Sequence, residues 1–257
     1  MAQFIVEGGR PLNGTVTVSG NKNEALPAVM ACLLTDEEIV LKRMPKIGDI
    51  LTLCNILEDI GVSVNWLDEE TLCLQAKEIK THRPNPALCA KARASILFLG
   101  PLLARLGKIE LAPPGGDVIG ARRMDSHFQG IRDLGAKLEF GPPISGTQKR
   151  PIGADIFLDE PSVTASENIL LNAVLADGLT TLHNAASEPH VQGLCNLLNA
   201  MGAKISGIGT NRLLIQGVAK LHGAKHRIGQ DFMEIGSFLC LGAIAKGKIE
   251  IKDIDIE

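Results

Sequence analysis

The chain has 257 residues, of which 45% are hydrophobic and only 3% aromatic, with a formal net charge of −3. That apolar content supports a real core and excludes a disordered chain, and the length suits one large domain or two smaller ones. A mildly acidic protein with no Tyr and one Trp lacks the basic surface and stacking platforms that nucleic-acid binding needs, and no apolar run reaches the roughly 18–20 residues that cross a bilayer.

The opening MAQFIVEGGRPL has no basic and apolar leader pattern, and FIVEGG and TVTVSG read as a first strand region. SGNKNEALP (19–27) then starts a helix, and NEALPAVMACLLTDEEIVLKRM runs helix, tight turn, strand. A linker, RMPKIGD (43–49), leads to a second helix that closes on Gly61 in ILEDIGVSV (56–64). The pattern returns as RASILFLGPLLARLGKIELAPP, a long loop APPGGDVIGARRMDSH (112–127), and GIRDLGAKLEF (130–140) closing on Gly135. It returns again as SENILLNAVLADGLTTLHNA and LLNAMGAKISG (197–207), closing on Gly202. A fourth copy begins at MEIGSFLCLGAIAKGKIEIKDI.

These copies recur about every 70 residues. Glycine after the last helical turn is the expected C-cap, and Gly107, Gly178 and Gly247 mark the helix-to-strand turns of copies two to four. Each full unit reads helix–strand–helix–strand with a further strand. Runs such as ILFLGPLLA (96–104) are apolar on most sides, as a buried helix is. The simplest architecture is α/β with helices inside and sheets outside; an ordinary α/β sandwich has the same periodicity. Residues 22–229 hold three units. Residues 1–21 and 230–257 fall outside them and are expected to belong to a second lobe that the chain enters at both ends.

The six cysteines (Cys32, Cys54, Cys73, Cys89, Cys195, Cys240) form no CxxC pair and mostly sit in apolar runs, which reads as a reducing, cytoplasmic protein. Lys22 and Asn23 stand at the mouth of the first helix, where free N–H groups and the dipole attract anions; a solvated lysine at a helix start is the alternative. Lys91 and Arg93 enter the second copy's helix, Arg93 with a fork suited to phosphate or carboxylate. The loop 112–127 carries Asp117, Arg122, Arg123, Met124, Asp125, Ser126 and His127. It is rich in Gly and Pro and much longer than RMPKIGD in the first copy, so it is a candidate ligand lid. Asp117, Asp125 and His127 fit no zinc spacing, so no metal is expected. EPSVTASEN (160–168) offers Ser162, Val163 and Thr164 before a helix, as phosphate contacts or as caps. Glu188 and His190 occupy the third copy's loop. Asp231 and Glu234, in the fourth, are also placed as helix-start acids.

Together VSGNKNEALPAVMACLL, RASILFLGPLLARLG, PPGGDVIGARRMDSH, PSVTASENILLNAVLADG, the EP of SEPHVQGL and DFMEIGSFL resemble the UDP-N-acetylglucosamine enolpyruvyl transferases, in the family's order and over nearly the whole chain. The shikimate-phosphate sister enzymes resemble it in fold but use a different arginine motif and a serine-rich anion loop. The resemblance implies an inside-out α/β barrel of the enolpyruvyl transferase type, with no cofactor and with phosphoenolpyruvate and UDP-N-acetylglucosamine as the molecules bound. Lys22 and Asn23 would contact phosphoenolpyruvate. Arg93 and the Arg122–Ser126 segment would contact the UDP-sugar and the enolpyruvyl group, with His127 next in the motif. Ser162, Val163 and Thr164 would line the uridine phosphate side, and Glu188 and Asp231 complete the set.

Asp117 matches the family's mobile-loop position, which usually holds cysteine, and implies a general acid toward the methylene carbon of phosphoenolpyruvate. Thr164 stands where the family usually has glycine, and Phe232 where it usually has arginine. The family's chains are substantially longer than 257 residues, and the base and further arginines expected of them have no counterpart here. A non-catalytic sugar-nucleotide-binding lobe, or a transferase with another acceptor, is therefore the alternative.

Overall fold

The apolar stripes and cap glycines fold into one recurring unit. The structure is a computed structural model and describes residues 3–116 and 123–254. After β1 (Asn13–Thr17), the first unit is α1 (Lys22–Ala31), β2 (Glu38–Lys42), α2 (Gly48–Asp59), β3 (Ser63–Trp66) and β4 (Leu72–Gln75). The second has a short α3 (Pro86–Cys89) and a 3₁₀ turn (Arg93–Phe98) running into α4 (Leu99–Leu106). It continues through β5 (Lys108–Leu111), α5 (Asp125–Asp133), β6 (Lys137–Glu139) and β7 (Ile144–Thr147). The third is β8 (Asp155–Phe157), α6 (Val163–Ala173), β9 (Leu179–His183), α7 (Pro189–Ala200), β10 (Lys204–Ser206) and β11 (Arg212–Gln216). The last is β12 (Ala224–Arg227), α8 (Phe232–Ile244) and β13 (Lys248–Lys252).

Gly61, Gly135 and Gly202 take φ of +106°, +91° and +97°, the left-handed region that only glycine adopts cheaply. The fourth copy departs from its expected turn. There Lys246 takes the positive φ, 48°, and Gly247 is small for another reason, since a Cβ on it would overlap the Leu12 carbonyl oxygen.

The strands form four sheets, ordered β12-β2-β4-β3, β5-β7-β6, β10-β11-β9-β8 and β1-β13, one centred on each unit. In the third unit the strand before the inner helix, β8, pairs in parallel with its own β9. In the first and fourth units these strands are exchanged: β1 precedes α1 but pairs with β13, and β12 precedes α8 but pairs with β2. The chain therefore crosses twice, side by side, with Gly20 bridged to Gln230 and the Asn21 N–H donating to the Gly229 carbonyl at 2.8 Å. Asp253, after β13, anchors the far layer by accepting from Arg227 (2.7 Å) and pairing with the buried Arg43 (2.8 Å).

The entering helices α1, α4 and α6 are buried on nearly every side, while α2, α5 and α7 bury one face. α6 packs against α1, α4, α5 and α7. Helices fill the interior and sheets lie outside, so the ordinary sandwich is set aside.

Two buried amides of α6 are fully used. The Asn168 Oδ1 accepts from the Gly100 N–H (2.7 Å), and its Nδ2 donates to the Ile96 carbonyl (3.0 Å). Asn172 donates to the Gly100 carbonyl (2.9 Å) and to Gln148 Oε1 (2.8 Å). These amides staple α6 to the stretch where the 3₁₀ turn becomes α4, just before Pro101, which has no N–H of its own to give. α8 differs: none of its residues is buried, and Met233, Leu239 and Ile244 are exposed.

Candidate active site

Four helix starts open onto one cleft. Asn21 caps α1 by accepting from the Glu24 N–H at 3.1 Å, which leaves Lys22 and Asn23 at the rim. Asp49 stands in the first turn of α2, Arg93 begins the 3₁₀ turn, and Ser162 caps α6 by accepting from the Ala165 N–H at 3.4 Å. Between them is a cavity of about 750 Å³ lined by the cations Lys22, Lys91, Arg93 and Arg123, by Asn23, Ser162 and Thr164, and by the acids Asp49 and Glu160. Helix N-termini and cations facing one space favour an anion, and the volume suits a small ligand rather than a protein.

Asp49 was not legible as a site residue. It lies 3.6 Å from the Lys22 ammonium, both about half exposed, so the pair is loose and contributes little energy. The signal that could have found it is the repeat itself: Asp49 closes RMPKIGD, the first unit's counterpart of the long loop.

Arg123 Nε donates to Asp125 (2.9 Å), and its fork also reaches Asp159 (3.4 Å), to which the Ser126 hydroxyl donates at 3.2 Å. Those carboxylates reinforce the positive charge of Arg123, Asp125 most of all. Arg123 and Asp125 are thus joined at the surface and Ser126 is buried behind them; of the three only Arg123 lines the 750 Å³ cavity.

His127 is in a different position from the one its motif suggests. It is buried, and both ring nitrogens are used: Asn168 Nδ2 donates to Nδ1 (3.1 Å), which places the proton on Nε2 facing Thr164 Oγ1 (3.1 Å). Thr164 therefore has a structural account, since its hydroxyl orients His127. Burial, helped by the Arg93 charge, lowers the His127 pKa from 6.5 to about 4. Its folded pKa lies below its unfolded value, so the stability it confers is complete above pH 6.5 and is lost as pH falls toward 4. His127→Gln is expected to lack that slope, which amounts to about 3 kcal/mol over the window; urea titrations at pH 7, 5.5 and 4 check it.

Met124 and Val163 are half-buried and pack against the core. Glu188 precedes α7, and its side chain makes no cap bond there. Asp231 accepts from the Met233 and Glu234 N–H groups (3.0 and 3.2 Å), the helix-start role, and Glu234 accepts from the Ser19 N–H and hydroxyl, both at 2.8 Å. Neither Glu188 nor Asp231 lines the 750 Å³ cavity. The Phe232 ring lies nearly parallel to His190, with centroids 6.0 Å apart. Asp117 and Arg122 lie outside the described residues; Gly116 and Arg123, which flank that segment, both line the cavity. Among the described residues no three His, Cys, Asp or Glu side chains are placed to hold a metal ion, and no helix is long and apolar enough to cross a membrane.

The family model described as EPSP synthase (3-phosphoshikimate 1-carboxyvinyltransferase) matches residues 6–257. The chain belongs to that family. Within the EPSP synthase family it is similar to curated proteins named UDP-N-acetylglucosamine 1-carboxyvinyltransferase. The one from Treponema denticola is 51% identical over 99% of this chain and 60% of its own, and that from Borreliella burgdorferi is 50% identical over 99% and 60%. The one from Bradyrhizobium diazoefficiens is 49% identical over 99% and 59%. The chain thus spans about 60% of the length of these relatives.

Two solved structures share the EPSP synthase family fold. The enolpyruvyl transferase NikO from Streptomyces tendae has a TM-score of 0.80 at 22% identity, covering 91% of this chain and 56% of that one. EPSP synthase from Acinetobacter baumannii has 0.75 at 21%, covering 97% and 57%.

Proposed function

We propose that this chain carries the first lobe of an enzyme that transfers the enolpyruvyl group of phosphoenolpyruvate to the 3′-hydroxyl of UDP-N-acetylglucosamine, releasing phosphate, in the cytoplasm at the first committed step of peptidoglycan synthesis. The carrying observation is the convergence of Lys22, Lys91, Arg93 and Arg123 on one cavity, in a chain about half identical to proteins of that name. Residues 22–229 form the first lobe, and residues 1–21 and 230–257 begin the second. The exchanged strands β1 and β12 and the unburied α8 support that division.

Two anionic substrates held by these cations are oriented before they react. Lys22 and Asn23 serve phosphoenolpyruvate; Arg93, Arg122, Arg123, Asp125 and Ser126 serve the UDP-sugar; Ser162 and Thr164 serve its phosphates. Asp117 delivers a proton to C3 of phosphoenolpyruvate while the sugar hydroxyl attacks C2 and passes its own proton to the base that the family's second lobe would supply, forming a tetrahedral ketal. Phosphate then leaves C2 and C3 gives its proton back, restoring the double bond. Closure of the loop beside an anion, away from water, raises a carboxyl pKa above its free value of ~3.9 and keeps Asp117 protonated for the first step.

Phosphate release from phosphoenolpyruvate plus UDP-N-acetylglucosamine tests the reading; substitution of another acceptor that works as well contradicts it. Binding of the nucleotide without phosphate release supports a second reading, a sugar-nucleotide-binding lobe, which the exposed face of α8 favours. Fosfomycin, an epoxide that alkylates the family's loop cysteine, is expected to leave this protein unmodified, because a carboxylate is a poorer nucleophile than a thiolate. Asp117→Cys is expected to gain the covalent adduct. Intact-mass measurement decides, and an adduct at Asp117 in the unaltered protein contradicts the assignment.

A further inference from the structure

We propose that Glu24 is a positioning residue: with His226 it forms a buried brace that fixes the first turn of α1 and so aims Lys22 and Asn23 into the cleft. Its ligand-binding consequence rests on the function proposed above.

A helix-start acid that merely answers the dipole sits in solvent, as Asp49 does in α2. Glu24 is only 3% exposed. Removing a carboxylate from water costs several kcal/mol unless partners replace the hydration, and Glu24 has two from a distant part of the chain. His226 Nε2, on β12, lies 2.8 Å from Oε1, and the Gly229 N–H donates to Oε2 at 3.0 Å. Room for the group has been made on two sides. A Cβ on Gly193, in α7, would overlap the carboxylate, and one on Gly229 would come within 2.8 Å of Oε2. One side chain thus joins α1, α7, β12 and the second lobe-crossing segment.

The site of this brace gives it a function. Asn21, which caps α1, donates through its own N–H to the Gly229 carbonyl, so residues 20–21 and 229–230 run together where α1 begins. Glu24 locks the same junction from inside. Lys22, Asn23 and Glu24 are consecutive and each turns about 100° from the last, so the direction of Glu24 dictates theirs. Lys22 has no comparable restraint of its own: its pair with Asp49 is 3.6 Å long and half exposed.

The test compares the unaltered protein with Glu24→Ala and Glu24→Gln. It uses calorimetric titration with UDP-N-acetylglucosamine, then with phosphoenolpyruvate at saturating nucleotide, and amide exchange at residues 22–24. Glu24→Ala is expected to weaken phosphoenolpyruvate about tenfold, leave the nucleotide within about twofold, and speed exchange at 22–24. Glu24→Gln keeps an acceptor for the Gly229 N–H and a polar group for His226, and is expected to recover binding to within about threefold. Should Glu24→Ala not fold, His226→Ala carries the same expectation in weaker form. Unchanged phosphoenolpyruvate binding, or equal loss of both ligands in step with melting temperature, overturns the proposal. If the unaltered protein binds neither ligand, the function proposed above fails instead, and the exchange arm alone then decides the brace: unchanged exchange at 22–24 overturns it, and faster exchange upholds it.

Discussion

Arg93→Ala is expected to weaken UDP-N-acetylglucosamine binding by about a hundredfold, with the fold intact. Arg93 begins the 3₁₀ turn of the second unit and lines the cavity that Lys22, Lys91 and Arg123 also face. Hydrogen bonds to charged groups contribute about 1.5–3 kcal/mol each, and a guanidinium makes two in parallel to a phosphate. Arg93→Lys keeps the charge but loses the fork, so it is expected to fall between the two. The guanidinium also depresses the His127 pKa, so the alanine variant is expected to raise the midpoint of the His127 titration. Calorimetric titration and imidazole NMR read these effects separately. Unchanged affinity in Arg93→Ala contradicts the assignment of the cleft.

Asn168→Leu is expected to cost about 3–5 kcal/mol, because three buried groups lose their partner at once. The Gly100 N–H, the Ile96 carbonyl and the His127 Nδ1 all rely on that amide. Gly100→Ala attacks the same joint from the other side, since its Cβ would overlap the Asn168 carbonyl, and neither backbone can yield. Both variants are expected to lower the urea midpoint. A midpoint within experimental error of the unaltered protein would show that the staple between α4 and α6 is not what fixes the helical interior.

The repeat was legible because physics writes it twice, once in the apolar stripe of each inner helix and once in the glycine that ends each outer one. Gly61, Gly135 and Gly202 all take the left-handed conformation that their position after a helix requires. The exchange of β1 and β12 between sheets was only half legible. The repeat marked both chain ends as outside the three units, but which strand pairs with which depends on contacts far apart in sequence, and alternation alone does not encode a partner.

The cleft was legible in part. Lys22, Asn23, Arg93, Arg123, Ser162 and Thr164 come together because each stands at the start of an inner helix or at the end of the long loop. His127 entered the set only through its motif, and its burial was not legible because Asn168 and Thr164, which hold it in the interior, are 41 and 37 residues away. Asp231 sits where a cap is needed, and local sequence does not separate a cap from a ligand contact. Glu24 was passed over because nothing near it in sequence announces His226, 202 residues later.

The most direct test of a single cation-lined cavity is a crystal structure of the protein with UDP-N-acetylglucosamine and phosphoenolpyruvate. The ligand oxygens are expected about 2.7–3.0 Å from Lys22 Nζ and the Arg93 guanidinium, with the nucleotide reaching toward Arg123 and Ser162. Ligand density on another face, with Lys22 and Arg93 left in solvent, would contradict the account.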